Sequence, residues 1–285
     1  MAAAHEVPRL LGVQEIDVTV RGGSLRVLAW PGDGPLVIAA HGITANALSW
    51  AAVARELAGR VRLTAPDLRG RAASASLPGP FGMAAHAADL IAVADHFGAA
   101  KVALVGHSMG GFVVTETAAR YPTRVSSVLL IDGGVPLPLP ADIDVDAALL
   151  ATIGPAMRRL SMTFTTSAEY LAYFQSNPAL ASSWNADISS YVLRDYLGTG
   201  SSCNIDAIRA DARDMLTTPA PAEFPLLGAP RGLQDEPTGM YPLSLLHAVG
   251  AEMVPDVNHY TILLGNGAAH VAKRISEMAD PISTR

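Results

Sequence analysis

Hydrophobic residues fall along this chain in two alternating rhythms. Residues 36–40, 61–65, 101–105 and 125–131 are short and mostly apolar, as strands buried on both faces of a sheet are. Between them, residues 47–58, 83–97 and 111–120 read as helices; Leu90, Ile91, Val93, Ala94 and Phe97 show the helical spacing best. Asn46 is placed to cap the first of these helices, and Pro122 stops the third. Ahead of them, residues 15–20 and 25–30 flank Arg21-Gly22-Gly23-Ser24, which predicts an antiparallel hairpin. Repetition of strand and helix predicts a mostly parallel sheet with helices on both faces. Ligands of such sheets bind at the carboxyl ends of the strands, where His41, Ser108 and Asp132 all fall.

The rhythm breaks at Pro136-Leu137-Pro138-Leu139-Pro140 and resumes after Thr218-Pro219-Ala220-Pro221. Between these marks no strand pattern is found, only helical stretches at residues 146–153, 157–163, 168–175 and 190–197. The predicted organisation is a core of residues 1–135 and 222–285, interrupted by a helical cap of residues 136–221. Several of the cap's aromatics must form its own interior, and Phe164, Tyr173 and Trp184 are the candidates for substrate contact. The core closes with strands at residues 224–230 and 251–254 and helices at residues 241–249 and 268–278.

Composition narrows the classes. The 285 residues are 50% hydrophobic and only 16% charged, which suits a globular core and excludes a disordered chain. A net charge of −6 without any basic run argues against nucleic acid or an anionic membrane surface as partner. One cysteine, Cys203, rules out an internal disulfide and fits a reducing compartment. Residues 1–12 contain Glu6 and Arg9 and no apolar signal region, and no run approaches a membrane span. The expectation is a cytoplasmic protein acting on a small molecule; its oligomeric state is not legible. No histidine, cysteine or acidic cluster has metal-ligand spacing and no nucleotide fingerprint is present, so no metal or organic cofactor is expected.

The chemistry centres on Gly106-His107-Ser108-Met109-Gly110, between a predicted strand and a predicted helix. A serine at such a turn is held in a strained conformation with its hydroxyl aimed out of the sheet, as a nucleophile requires. The Met109 amide points to the same spot, and the Ile43 amide, after His41-Gly42, is the second candidate oxyanion donor. His259, in Val257-Asn258-His259-Tyr260, is the one histidine on a late loop at the strand ends, and the candidate base. His107 reads as structural, because neighbouring side chains at such a turn point apart. His41, His86 and His96 read as packing or surface residues.

In this order the chain resembles the α/β-hydrolase superfamily along nearly its whole length. The resemblance rests on His41-Gly42, Asp67-Leu68-Arg69-Gly70, Gly-His-Ser-Met-Gly-Gly at the turn, a cap insertion and His259 after the last strand. One departure is Ala72-Ala73-Ser74, where similar members often have Gly-x-Ser. The resemblance implies an eight-stranded, mostly parallel sheet and a Ser-His-Asp triad. Asp235 matches the Gly-x-x-Asp pattern after the seventh strand, and Asp132, before Gly133-Gly134, matches the rarer placement after the sixth. The preference falls on Asp235, with Asp132 the alternative acid and Glu236 a weaker third.

The reaction expected is acyl transfer to water from a carboxylic ester, lactone or thioester of a small, largely apolar substrate, through an acyl-enzyme on Ser108. Hydrolysis of a carbon–carbon bond in a dienoate-type diketone and cofactor-free perhydrolysis use the same residues. A ligand receptor that keeps the fold without catalysis is disfavoured by the intact serine, histidine and oxyanion positions.

Overall fold

The structure, a computed structural model, describes residues 12–136, 140, 142–217 and 224–279. Residues 1–11, residues 137–139 of the first cap boundary and the Thr218-Pro219-Ala220-Pro221 boundary therefore lie outside it.

Eight strands form one sheet in the order β1-β2-β4-β3-β5-β6-β7-β8. β1 (Gln14–Val20) and β2 (Gly23–Trp30) make the predicted hairpin, and β2 also pairs antiparallel with β4 (Arg62–Pro66). All other pairings, through β3 (Leu36–Ala40), β5 (Val102–His107), β6 (Val125–Ile131), β7 (Leu226–Gly228) and β8 (Glu252–Met253), are parallel.

The uniformly apolar strands are buried because both faces of the sheet are covered. Leu36, Ile38 and Ala40 of β3 pack on the side of α2 (Met83–His96) and α3 (Met109–Arg120). Val37 and Ala39 face the opposite layer, formed by α1 (Ala51–Leu57) and the last described helix, Gly265–Ala279. Period-two alternation along one strand thus feeds two separate cores. Asn46 caps as expected, its Oδ1 accepting from the Leu48 amide at 3.0 Å, but the first turn is a 3₁₀ helix, Ala47–Trp50.

Among the described residues, five helices stand between β6 and β7: α4 (Val145–Leu160), α5 (Ser167–Gln175), α6 (Pro178–Ala181), α7 (Ala186–Asp195) and α8 (Ile205–Thr217). The two helices expected over residues 146–163 are one element, bent at Ile153 (φ −126°, ψ 34°). Pro155 causes the bend, since it has no amide hydrogen and its ring crowds the preceding turn. Helix α7 starts at Ala186, earlier than residue 190, because Asn185 caps it by accepting from the Asp187 and Ile188 amides. Helix α8 escaped the pattern, since aspartates and arginines interrupt its apolar face and one of them, Asp211, is fully buried. The Asn204 cap, which accepts from the Asp206 and Ala207 amides, was the available signal. Among the described residues no helix is long and apolar enough to cross a membrane.

Candidate active site

Ser108 is the hinge between β5 and α3, at φ 56° and ψ −123°, a conformation costly for any residue with a side chain. The flanking glycines are obligatory: a Cβ on Gly106 would lie 2.1 Å from the Gly110 carbonyl oxygen, and one on Gly110 2.1 Å from that of Ala40. Parallel pairing of Ala40 with Gly106 lays the loop after β3 beside the serine turn. A Cβ on Gly42 would stand 3.6 Å from Ser108 Oγ, which measures how closely the Gly42-Ile43 segment approaches the hydroxyl. Met109 opens α3, so its amide has no acceptor within the helix, and the helix dipole adds positive potential there.

The candidate acid directly follows β6, and the candidate base lies on the loop after β8. Pairing of His107 with Ile131, and the Ser108 amide donating to the Ile131 carbonyl at 3.0 Å, put Asp132 level with the serine. Asp132 is buried, has φ 42°, and accepts from His259 Nδ1 through Oδ2 at 2.6 Å and from the Ala229 amide through Oδ1 at 3.1 Å. A carboxylate only accepts, so His259 carries its hydrogen on Nδ1 and leaves Nε2 as the basic nitrogen. His259 is itself 4% exposed and lines one cavity together with Ser108, Gly42 and Ile43.

Asp235, the acid preferred from the sequence, does not meet His259. It accepts from Arg231 at 2.9 Å and from Asn258 Nδ2 at 2.8 Å. The reason is strand length. β7 ends at Gly228, so Asp235 stands seven residues beyond it, in a turn whose amide returns to the Gly232 carbonyl. Asp132, by contrast, directly follows β6. Glu236 accepts from the Gln234 amide within the same turn. Asp235 nonetheless supports the histidine loop, because Asn258 spans from it to the Ala179 carbonyl while accepting from the Tyr260 and Thr261 amides.

Other histidines serve as fixed hydrogen-bonding pieces. His107 donates from Nε2 to the His259 carbonyl at 2.8 Å, and its ring lies 4.6 Å from that of His259. Burial, and then the neighbouring His259, hold His107 well below the ordinary histidine range. His41 accepts from the Leu68 amide on Nε2 at 2.9 Å and donates from Nδ1 to the Gly42 carbonyl at 2.8 Å. Burial pushes it down to about 3. Both rings are therefore neutral at pH 7.

The segment that departs from Gly-x-Ser has its own explanation. Ala72 sits at φ 44°, a conformation natural to glycine, and alanine holds it because its amide donates to Ser202 Oγ at 2.8 Å. Ser74 Oγ accepts from the Arg26 amide at 2.9 Å, tying the loop to β2.

Two apolar cavities meet at Ser108. One, about 790 Å³ including space open to solvent, contains His259 and is walled by Leu48, Leu180, Ile188, Tyr191 and Tyr260. The other, about 1020 Å³ on the same measure, is walled by Phe112, Leu149, Met215 and Met240. Ile43 and Ile153 border both. Phe164, Tyr173 and Trp184, the substrate-contact candidates from the sequence, border neither. They pack with Tyr170, Ile188 and Val192 in the insertion's interior, where Phe164 is 4.9 Å from the Tyr170 ring. Tyr191 and Tyr260 occupy the wall instead; helical phase alone did not tell which face of α7 turns inward. Among the described residues no group of three or more histidine, cysteine or acidic side chains could hold a metal ion.

Comparison with known proteins agrees with this architecture. The family described as alpha/beta hydrolase fold matches residues 35–194. Lipase LipV of Mycobacterium tuberculosis is 33% identical over 129 residues, which is 45% of this chain and 49% of that one. A putative carbamate hydrolase, RutD, of Caulobacter segnis is 31% identical over 118 residues, 40% of this chain and 44% of that one. The chain thus spans about a third to a half of the length of the curated relatives it matches. The crystal structure of an E-2-(acetamidomethylene)succinate hydrolase superposes with a TM-score of 0.71 at 22% identity, over 93% of this chain and 98% of that one. At that identity the likeness concerns the fold.

Proposed function

The chain belongs to the α/β-hydrolase fold family, and we propose that within it this protein is a serine hydrolase of carboxylic esters, lactones or thioesters with small, largely apolar substrates. The observation that carries this reading is the buried 2.6 Å contact between His259 and Asp132, with His259 lining a cavity together with Ser108.

In the proposed reaction His259 Nε2 takes the Ser108 proton as Oγ attacks the carbonyl carbon. The amides of Ile43 and Met109 hold the oxyanion, and the Asp132 carboxylate stabilises the imidazolium. His259 then returns the proton to the departing oxygen or sulfur, leaving an acyl-Ser108 ester. Water attacks this ester with His259 again as base, the acid leaves, and Ser108 regains its proton.

The two cavities have distinct parts in this scheme. The leaving group must lie where His259 can protonate it, and His259 borders only the 790 Å³ cavity. The acyl portion then occupies the cavity beside Phe112 and Met240. Residues 136–221 act as the cap, since Ile153, Leu180, Ile188 and Tyr191 wall the leaving-group side and Leu149 and Met215 the acyl side. Similarity to a lipase and to a putative carbamate hydrolase supports acyl chemistry.

A fluorophosphonate probe tests the nucleophile and a p-nitrophenyl ester series tests the substrate class. Expected are labelling at Ser108 and a kcat/KM that rises with acyl length until the acyl cavity is full. A chain that labels but turns over no ester would direct the reading to carbon–carbon hydrolysis.

A further inference from the structure

The oxyanion loop is braced by a charge that the reaction itself does not use. Arg71 is fully buried, and its guanidinium reaches four places at once. Nε donates to the Ile43 carbonyl at 3.0 Å, and Nη1 donates to the Arg69 carbonyl at 2.8 Å. Nη2 lies 3.7 Å from the Met109 sulfur. Nη1 also pairs with Asp211 of α8 at 2.5 Å. One side chain therefore touches both residues whose amides face the proposed oxyanion.

The Ile43 backbone is held from both sides. The preceding peptide is fixed at its carbonyl end, where the Gly42 oxygen accepts from His41 Nδ1 at 2.8 Å and from the Ala45 amide at 3.1 Å. Because carbonyl and N–H of a trans peptide point in opposite directions, this aims the Ile43 N–H. The following peptide is fixed at the Ile43 carbonyl, for which Arg71 Nε is the donor. Releasing that carbonyl frees the loop to rotate and drift away from the hydroxyl.

A guanidinium buried this deeply carries a large desolvation cost, and stability alone is served as well by an apolar side chain. What an apolar side chain lacks is a fork that binds a carbonyl and an acid together. Asp211 is equally buried and also accepts from the Gly82 amide at 2.7 Å and from His86 Nε2 at 3.0 Å. Burial opposes ionisation of this carboxyl, but Arg71 and His86 outweigh it and hold it below the usual range. The same loop is stitched to the insertion again where the Asn204 amide donates to the Gly70 carbonyl at 2.8 Å.

We propose that Arg71 is the positioning residue of the oxyanion hole and that, through Asp211, it makes the hole depend on the seating of cap helix α8. This rests on the serine-hydrolase reading. Arg71→Lys keeps a cation for Asp211 but lacks the fork, so it separates the ion pair from the carbonyl contact. Misplacing an oxyanion donor should lower kcat for p-nitrophenyl butyrate about 10- to 100-fold, with KM within about threefold. The Ki of an alkyl trifluoromethyl ketone, which forms an oxyanion on Ser108, should rise by the same factor. Affinity for butyramide, a ground-state ligand, should hold. Asp211→Asn should show the same split to a smaller degree, and it stands in if Arg71→Lys does not fold. Arg209→Ala, which removes only the exposed 2.8 Å pair of α8 with Asp146, should match the wild type. Full kcat in Arg71→Lys and Asp211→Asn, or a loss that follows the folded fraction while the ketone Ki is unmoved, overturns the proposal alone. A wild type that neither labels at Ser108 nor turns over ester overturns the hydrolase reading and this proposal with it.

Discussion

Asp132→Asn is the sharpest perturbation of the proposed triad, because the surroundings of Asp132 dictate how the new amide must sit. Oδ1 accepts from the Ala229 amide at 3.1 Å and Oδ2 from His259 Nδ1 at 2.6 Å. An asparagine that keeps its oxygen toward Ala229 turns its NH₂ toward His259. The imidazole must then present a lone pair at Nδ1 and carry its hydrogen on Nε2, so that Nε2 cannot act as base. Flipping the amide to restore the Nδ1 contact sets NH₂ against the Ala229 N–H, at about 1–3 kcal/mol for the unsatisfied buried donor. Both arrangements fold, and the inactive tautomer is favoured. The expected loss in kcat is on the order of 10⁴, equivalent to about 5.4 kcal/mol of transition-state stabilisation. Asp235→Asn weakens a partly exposed pair with Arg231, worth less than about 1 kcal/mol, and should leave kcat/KM within about fivefold. Steady-state kinetics on p-nitrophenyl butyrate, with circular-dichroism melts of each variant, provide the comparison. A folded Asp132→Asn that keeps a tenth of wild-type kcat, beside an Asp235→Asn that loses a thousandfold, would refute the assignment.

Ser108→Ala should abolish fluorophosphonate labelling and lower ester turnover by several orders of magnitude with the fold intact, and His259→Ala should lose nearly as much because the two act together; more than a few per cent residual activity in either contradicts the triad. Acid should destabilise the fold through His41, whose folded value of about 3 lies below the ordinary 6.5. Its stabilising contribution is complete above pH 6.5 and is lost as pH falls toward 3, about 2 kcal/mol between pH 7 and 5. Urea titrations should show this slope flattening in His41→Gln, and an unchanged slope contradicts the buried neutral ring. Tyr191→Ala, in the leaving-group wall, should alter selectivity among ester alcohols, whereas Phe164→Ala, inside the insertion, should cost about 3–5 kcal/mol or melt the insertion. Equal selectivity profiles for the two variants would speak against the cavity assignment.

What the sequence determined by itself is local. Glycines 106 and 110 around Ser108 force a turn that only that spacing permits, and the apolar run of residues 36–40 needs covering on both faces whatever lies around it. Strand ends, and hence the level of His41, Ser108 and Asp132, follow from where such runs stop. What the tertiary structure decided depends on distances between parts far apart in the chain. That Asp132 and not Asp235 meets His259 turned on where β7 ends and where the loop carrying Asn258 returns, and both aspartates occupy turns of equal local quality. That Phe164, which precedes α5, packs in the insertion's interior while Tyr191 of α7 borders the cavity depended on tertiary packing, which local spacing leaves free. Helix α8 was hidden because Asp211 breaks its apolar face, and that face is legible only once Arg71, 140 residues earlier, supplies the charge that lets an aspartate be buried.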